Sequence, residues 1–241
     1  GVGGLIYPHG GVRPAIETIM AAINGGASLY FQSDIRAFFT KIPTDTVVSF
    51  VRRETGDEAF VALFAKALEV HLGNEDELVG YTHLFPKGGI GVAQGSSLSA
   101  FAGNVLLYDM DQKLNTMGVT AVRYIDDILM VGADQAAIDA AKTYAEKTLT
   151  DFGFGLYNPA DGPDKAAQGE CSKSINFLGC TLQPKRCVPS AKSIDNIKEG
   201  VREGLASSKA AIKEALTKGT PLKPKHSQSA TLDSLGKRIY G

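Results

Sequence analysis

Apolar residues recur near the helical period over residues 14–23 (PAIETIMAAI), where Pro14 takes a first helical position and Asn24, Gly25 and Gly26 stop the pattern. A helix is predicted there. Residues 28–35 (SLYFQSDI) are short and rich in aromatic and apolar side chains, as in a buried strand, and they deliver Asp34 at its end. Residues 44–54 and 57–70 read as two helices opened by the capping residues Thr44 and Asp57. A strand at 80–85 and a glycine-rich loop at 87–91 precede one long amphipathic helix over 97–114. Residues 120–131 (TAVRYIDDILMV) carry two apolar runs around Asp126 and Asp127, which predicts a hairpin with carboxylates at its tip. A helix over 134–152 follows, then short strands at 155–158 and 175–182 with a loop at 159–172 between them. Pro189 marks a boundary, and from Ser190 the pattern is helical, basic and poor in aromatics.

This order predicts an α+β fold, a mostly antiparallel sheet backed by helices, rather than a doubly wound one. With 44% hydrophobic and 21% charged residues, the 241-residue chain has enough apolar material for a core, and disorder as the main state is excluded. No apolar run approaches the roughly 18 residues of a membrane span. A soluble protein with no membrane partner is expected. The opening Gly1-Val2-Gly3-Gly4 has no initiator Met and reads like the middle of a fold, so the sequence is expected to be a fragment. Cys171, Cys180 and Cys187 lack paired spacing, which argues against a disulfide framework or structural zinc and for free thiols in a reducing cytoplasm.

Charge is divided unevenly. From Lys185 onward 12 Lys and Arg stand against 5 Asp and Glu, leaving 13 against 21 in the first 184 residues. A basic segment fits nucleic-acid phosphates, and an acidic body fits a site that collects cations. Asp34, Asp126 and Asp127 each have a bland reading as turn residues. Yet they lie in apolar strands, where carboxylates are costly to bury unless cations or hydrogen bonds compensate them. Two-metal phosphoryl transfer needs such a cluster of anionic oxygens, and Mg²⁺ prefers oxygen ligands.

Five motifs in order carry a resemblance. Residues 31–42 (FQSDIRAFFTKI), 94–99 (QGSSLS), 124–127 (YIDD), 163–165 (PDK) and 177–179 (FLG) resemble the palm motifs of reverse transcriptases, especially the bacterial retron and group II intron lineage. The resemblance spans about residues 5–185. It implies a polymerase palm over 28–188, the end of the fingers and an entry helix over 1–27, and the start of a basic helical thumb over 189–241. The remaining fingers are expected to precede residue 1.

The resemblance also implies roles. Asp34 and Asp126 are the expected main ligands of two Mg²⁺ ions, for which Mn²⁺ can substitute, with Asp127 a third carboxylate and the Ile35 carbonyl a further oxygen. Phe39 is the expected steric gate that leaves no room for a ribose 2′-hydroxyl, which points to dNTP. Arg36, Phe38, Gln94, Gly95 and Tyr124 are expected at the substrate or primer, and Lys165 beside the leaving pyrophosphate. The implied function is RNA-directed DNA polymerase, with an RNA template, a DNA or RNA primer and an intron or retron RNA as partners. Ala93 and Ala100 depart from the prolines usual at those places. A degenerate palm kept as an RNA-binding or scaffolding module is the alternative, although all three aspartates are present.

Overall fold

The computed structural model describes residues 10–71, 77, 80–81, 88–219, 230–233 and 236. Helix α1 (Val12–Asn24) buries Ile16, Ile19 and Ile23 on one stripe and leads into strand β1 (Leu29–Asp34). The chain then turns sharply at Ala37, which is in the left-handed region at φ 52, into the single helical turn α2 (Phe38–Lys41). Helices α3 (Thr44–Thr55) and α4 (Glu58–Leu68) follow, the second capped by the Asp57 side chain accepting from Phe60 N–H.

The expected helix over 97–114 is broken. It forms α5 (Ser97–Leu106) and α6 (Tyr108–Leu114), joined at the fully buried Leu107, so tertiary packing overrides a continuous helical pattern. The hairpin appears as expected: β2 (Thr120–Tyr124) and β3 (Asp127–Gly132) enclose the two-residue turn Ile125 and Asp126. Helix α7 (Gln135–Asp151) opens on Asp134, whose side chain caps Ala136 N–H.

The expected strand at 155–158 is reduced to one bridge between Ile35 and Leu156. The expected loop at 159–172 instead contains strand β4 (Ala166–Glu170), which pairs antiparallel with β1. The strand expected at 175–182 is two, β5 (Ile175–Phe177) and β6 (Cys180–Gln183), with β7 (Arg186–Pro189) beside them. Leu178 and Gly179, both at positive φ, make the turn between β5 and β6. The strand expected at 80–85 falls mostly outside the described residues, and Gly80 and Tyr81 lie in a turn.

The chain divides into two compact units. The first comprises Gly1–Ile175 with Gln183–Arg186, and the second Asn176–Leu182 with Cys187–Gly241. In the first, the sheet order is β2-β3-β1-β4, antiparallel throughout. Phe31, Ile35, Ile128 and Met130 project from it into a core completed by Ala141, Ala145 and Leu149 of α7 and by Met110 and Leu114 of α6. Since alternate strand residues face opposite ways, burying Phe31 and Ile35 puts Asp34 on the other face. In the second unit, helix α8 (Ala191–Thr217) starts at Ser190, and Ser193 Oγ donates to Gly179 O at 2.8 Å.

Candidate active site

Four residues singled out in the sequence lie in one row across the end of the sheet. Tyr124 on β2 pairs with Asp127 on β3, Asp127 pairs with Asp34 on β1, and Asp34 N–H donates to the carbonyl of Lys165 at the entrance to β4 at 2.9 Å. Antiparallel pairing places directly opposed side chains on the same face within about 4.5–5.5 Å at Cβ. The Asp34 and Asp127 carboxyls are therefore neighbours, and they share a hydrogen bond. Lys165 Nζ donates to Asp34 Oδ2 at 2.5 Å from its own exposed position, while Asp34 is only 16% exposed. Asp126 occupies the adjoining turn, and its carbonyl accepts from Ile35 N–H at 2.8 Å.

Crowding of these acids shows in their proton affinity. Burial pushes the Asp127 carboxyl up to about 7, helped by its hydrogen bond to Asp34 and by the charges of Asp34 and Asp126, against the pull of Lys165. Asp126 is raised as well, mainly by burial. Lys165 is raised by the Asp34 carboxylate.

Among the described residues, no group of three or more acidic, His or Cys side chains is gathered in the manner of a metal cage. Asp34 turns its oxygens to Lys165 and Asp127, so the three carboxyls share a field without sharing a focus. Their chemistry nonetheless fits a hard divalent ion. They are oxygen donors, and their mutual repulsion is what such an ion relieves.

The turn itself is strained. Ile125 has φ 61, a region where a β-branched side chain is an outlier costing about 1–3 kcal/mol. Sequence reasoning missed the group that holds it. Arg123, 2% exposed, donates from Nη1 to the Ile125 carbonyl at 2.8 Å and from Nε and Nη2 to Asp111, at 2.9 and 2.6 Å. The available signal was a charged residue inside an apolar strand run.

Around this row, Ser33 is fully buried and brackets Tyr157: its Oγ donates to Tyr157 O and accepts from Tyr157 N–H, both at 3.0 Å. Arg36 is exposed, with Nε on the Leu156 carbonyl at 3.0 Å and its guanidinium 4.5 Å from the Tyr157 ring centroid. Phe39 is partly buried. Its carbonyl accepts from Val92 N–H at 2.8 Å, which ties α2 to the loop carrying Gln94 and Gly95. Both loop residues are exposed, and Gly95 has φ 85, a conformation that requires glycine. Ser99 Oγ donates to Ala93 O at 2.6 Å and fixes the base of that loop.

Phe38, expected at the substrate, lies in the core. It is 3% exposed, its ring lies 5.4 Å from Phe154, and Gly103 approaches so closely that a Cβ there would meet the ring at 2.7 Å. The left-handed turn at Ala37 precedes it, and its ring packs inward. A cavity of about 480 Å³ lies between α3, α4 and residues 88–91 and is lined by none of the three aspartates.

The sequence pattern of the family described as reverse transcriptase (RNA-dependent DNA polymerase) matches residues 7–182. No curated protein matches the chain. Among solved structures, apo telomerase from Candida tropicalis is similar at a TM-score of 0.52 and 11% identity, over 77% of this chain and 37% of that one. Telomerase from Candida albicans in complex with the TWJ fragment of telomeric RNA gives 0.49 and 13%, over 74% and 33%. The chain thus spans well under half the length of these structures.

Proposed function

The chain belongs to the reverse transcriptase family, and from that premise we propose that it extends a primer 3′-hydroxyl with dNTP on an RNA template, aided by two Mg²⁺ ions. The observation that carries this reading is the row Tyr124, Asp127, Asp34 and Lys165, assembled at one sheet end from β2, β3, β1 and the entrance to β4, with Asp126 beside it. Asp34, Asp126 and Asp127, with the Ile35 carbonyl, would hold the ions. When bound, such ions lower the pKa of an attacking hydroxyl and stabilise a leaving oxygen.

The remaining residues bind and orient. Lys165 offers a proton or a positive charge to the departing pyrophosphate, and its exposed side chain has room to leave Asp34 for it. Phe39 closes the space beneath the sugar. Gln94 and Gly95 face the incoming nucleotide, Gly95 allowing close backbone approach. Tyr124 packs at the primer end, and Arg36 meets template or triphosphate.

Beyond the reaction, we assign the chain to the retron and group II intron lineage with an intron or retron RNA as partner, on the strength of the five motifs. We propose fingers and entry helix over 1–27, palm over 28–188 and thumb over 189–241. A cytoplasmic location is supported by free Cys171, Cys180 and Cys187. Among the described residues no helix is long and apolar enough to cross a membrane. The test is primer extension on poly(rA)/oligo(dT) with Mg²⁺ or Mn²⁺. The wild type is expected to incorporate dTTP and the Asp126→Ala variant to lose incorporation, while equal extension by both overturns the assignment.

A further inference from the structure

Resting on that polymerase reading, we propose that Arg123 is a positioning residue that fixes the aim of Asp126 and Asp127 through the backbone carbonyl of Ile125. Arg123 stands on β2 next to the turn, and helical neighbours hold its guanidinium from behind. Asp111 of α6 takes Nε and Nη2 as a bidentate pair at 2.9 and 2.6 Å, and Asn104 of α5 takes Nη2 at 3.2 Å. That leaves Nη1 pointed at Ile125 O, at 2.8 Å.

The target of that bond is the strained residue. Ile125 at φ 61 occupies a conformation suited to glycine, and such a residue persists only where its surroundings over-determine it. Its carbonyl belongs to the peptide that continues into Asp126, so holding the carbonyl sets the direction in which Asp126 leaves the turn. Asp126 is then fixed from its far side by Ile35 N–H, and Asp127 settles opposite Asp34. The clamp therefore runs from α6 through Arg123 to the turn and ends at the carboxyls.

Stability alone is a weak explanation for such a pair. Desolvation offsets much of the attraction between buried ions, and replacing both partners together by apolar residues is often neutral. The fork geometry of arginine, by contrast, is what three separate acceptors require. Positioning and stability are thus separable by experiment.

The test compares wild type, the double variant Asp111→Leu with Arg123→Met, and the same double variant carrying Ile125→Gly. Two readouts are used: backbone ¹³C shifts and HN–Hα couplings of residues 124–127 without metal, and Mg²⁺ titration by calorimetry. In the double variant, Ile125 is expected to lose its left-handed signature and Mg²⁺ affinity to fall about 10–100-fold, as for loss of an outer-shell partner. Ile125→Gly is expected to recover most of that affinity, because glycine adopts positive φ without a clamp. A double variant that keeps both the signature and the affinity overturns the inference, as does a loss that glycine fails to rescue. Should the double variant not fold, Arg123→Lys keeps the charge but not the fork, and is expected to shift both readouts partway. Unchanged readouts in it overturn the clamp. A wild type that binds Mg²⁺ yet extends no primer overturns the polymerase reading, and the backbone readout still decides the role of Arg123.

Discussion

Asp34 and Asp127 are direct partners across the antiparallel pair β1 and β3, with their carboxyls hydrogen-bonded to each other. Two acids in that position repel when both are ionised, and the protein answers in two ways. Asp34 takes the Lys165 ammonium, and Asp127 retains its proton to about pH 7.

That retained proton makes metal-free stability depend on pH. Asp127 has a folded-state pKa of about 7 against roughly 3.9 in the unfolded chain, so between these values the native state binds more protons. Its contribution to stability is complete below about pH 4 and is lost as pH rises through about 7. Asp126, also raised, acts in the same direction. The thermal midpoint without metal is expected to fall between pH 5 and 7.5, and Asp127→Asn is expected to flatten part of that slope. A variant with the wild-type slope contradicts the account. Added Mg²⁺ is expected to raise the midpoint most at pH 7.5, where the carboxyls give up protons most easily.

Lys165 is expected to compete with metal. Its ammonium sits 2.5 Å from Asp34 Oδ2, and an incoming cation must share or displace that contact. The lysine side chain is 56% exposed, so solvent screening limits the pair to about 0.2–1 kcal/mol. Lys165→Met should therefore tighten Mg²⁺ binding without nucleotide by no more than about fivefold, measured by calorimetry. If Lys165 also serves the leaving group, the same variant should lower kcat by about 10²–10⁴-fold. Weaker Mg²⁺ binding in the variant contradicts the competition.

Phe39 differs from its neighbour in what it leaves free. Phe38 is enclosed by Phe154 and Gly103, whereas Phe39 is partly buried, its ring centroid 5.6 Å from that of Phe38. Phe39→Val should cost about 1–3 kcal/mol of stability through lost burial. It should also reduce preference for dTTP over UTP by at least about tenfold in kcat/KM, equivalent to about 1.4 kcal/mol. Unchanged sugar discrimination in a folded variant removes the gate role.

The sequence revealed the hairpin and its acids because two apolar runs flank a polar pair closely enough to force the turn. It hid β4 because AAQGE has no alternating apolar pattern, and pairing with β1 supplies what local preference does not. The break at Leu107 was hidden for a related reason: residues on both sides suit a helix, and only burial of Leu107 at the junction parts them. Phe38 and Phe39 look alike in sequence, and only the backbone at Ala37 sorts one into the core. Arg123 and Asp111 lie 12 residues apart and pair only after α6 and β2 have packed, so neither announces its partner.

Ser99 acts on the nucleotide loop only through its backbone. Its hydroxyl, on a residue 2% exposed, donates to Ala93 O at 2.6 Å, while Ser96 caps α5 by accepting from Leu98 N–H at 3.2 Å. The loop bearing Gln94 and Gly95 is thus tied at its base by Ser99 and on its approach by Val92 to Phe39. Removing the Ser99 hydroxyl takes one hydrogen bond from the exposed Ala93 carbonyl, at about 0.5–1.5 kcal/mol, since water can replace the donor. Ser99→Ala should therefore lower the thermal midpoint modestly and loosen Gln94 without touching any carboxylate. The expected kinetic result is a raised KM for dNTP with kcat nearly unchanged, the pattern of lost ground-state binding. A fall in kcat at constant KM would place Ser99 in the acid row's support instead, and Mg²⁺ titration of the variant, expected to match wild type, separates the two.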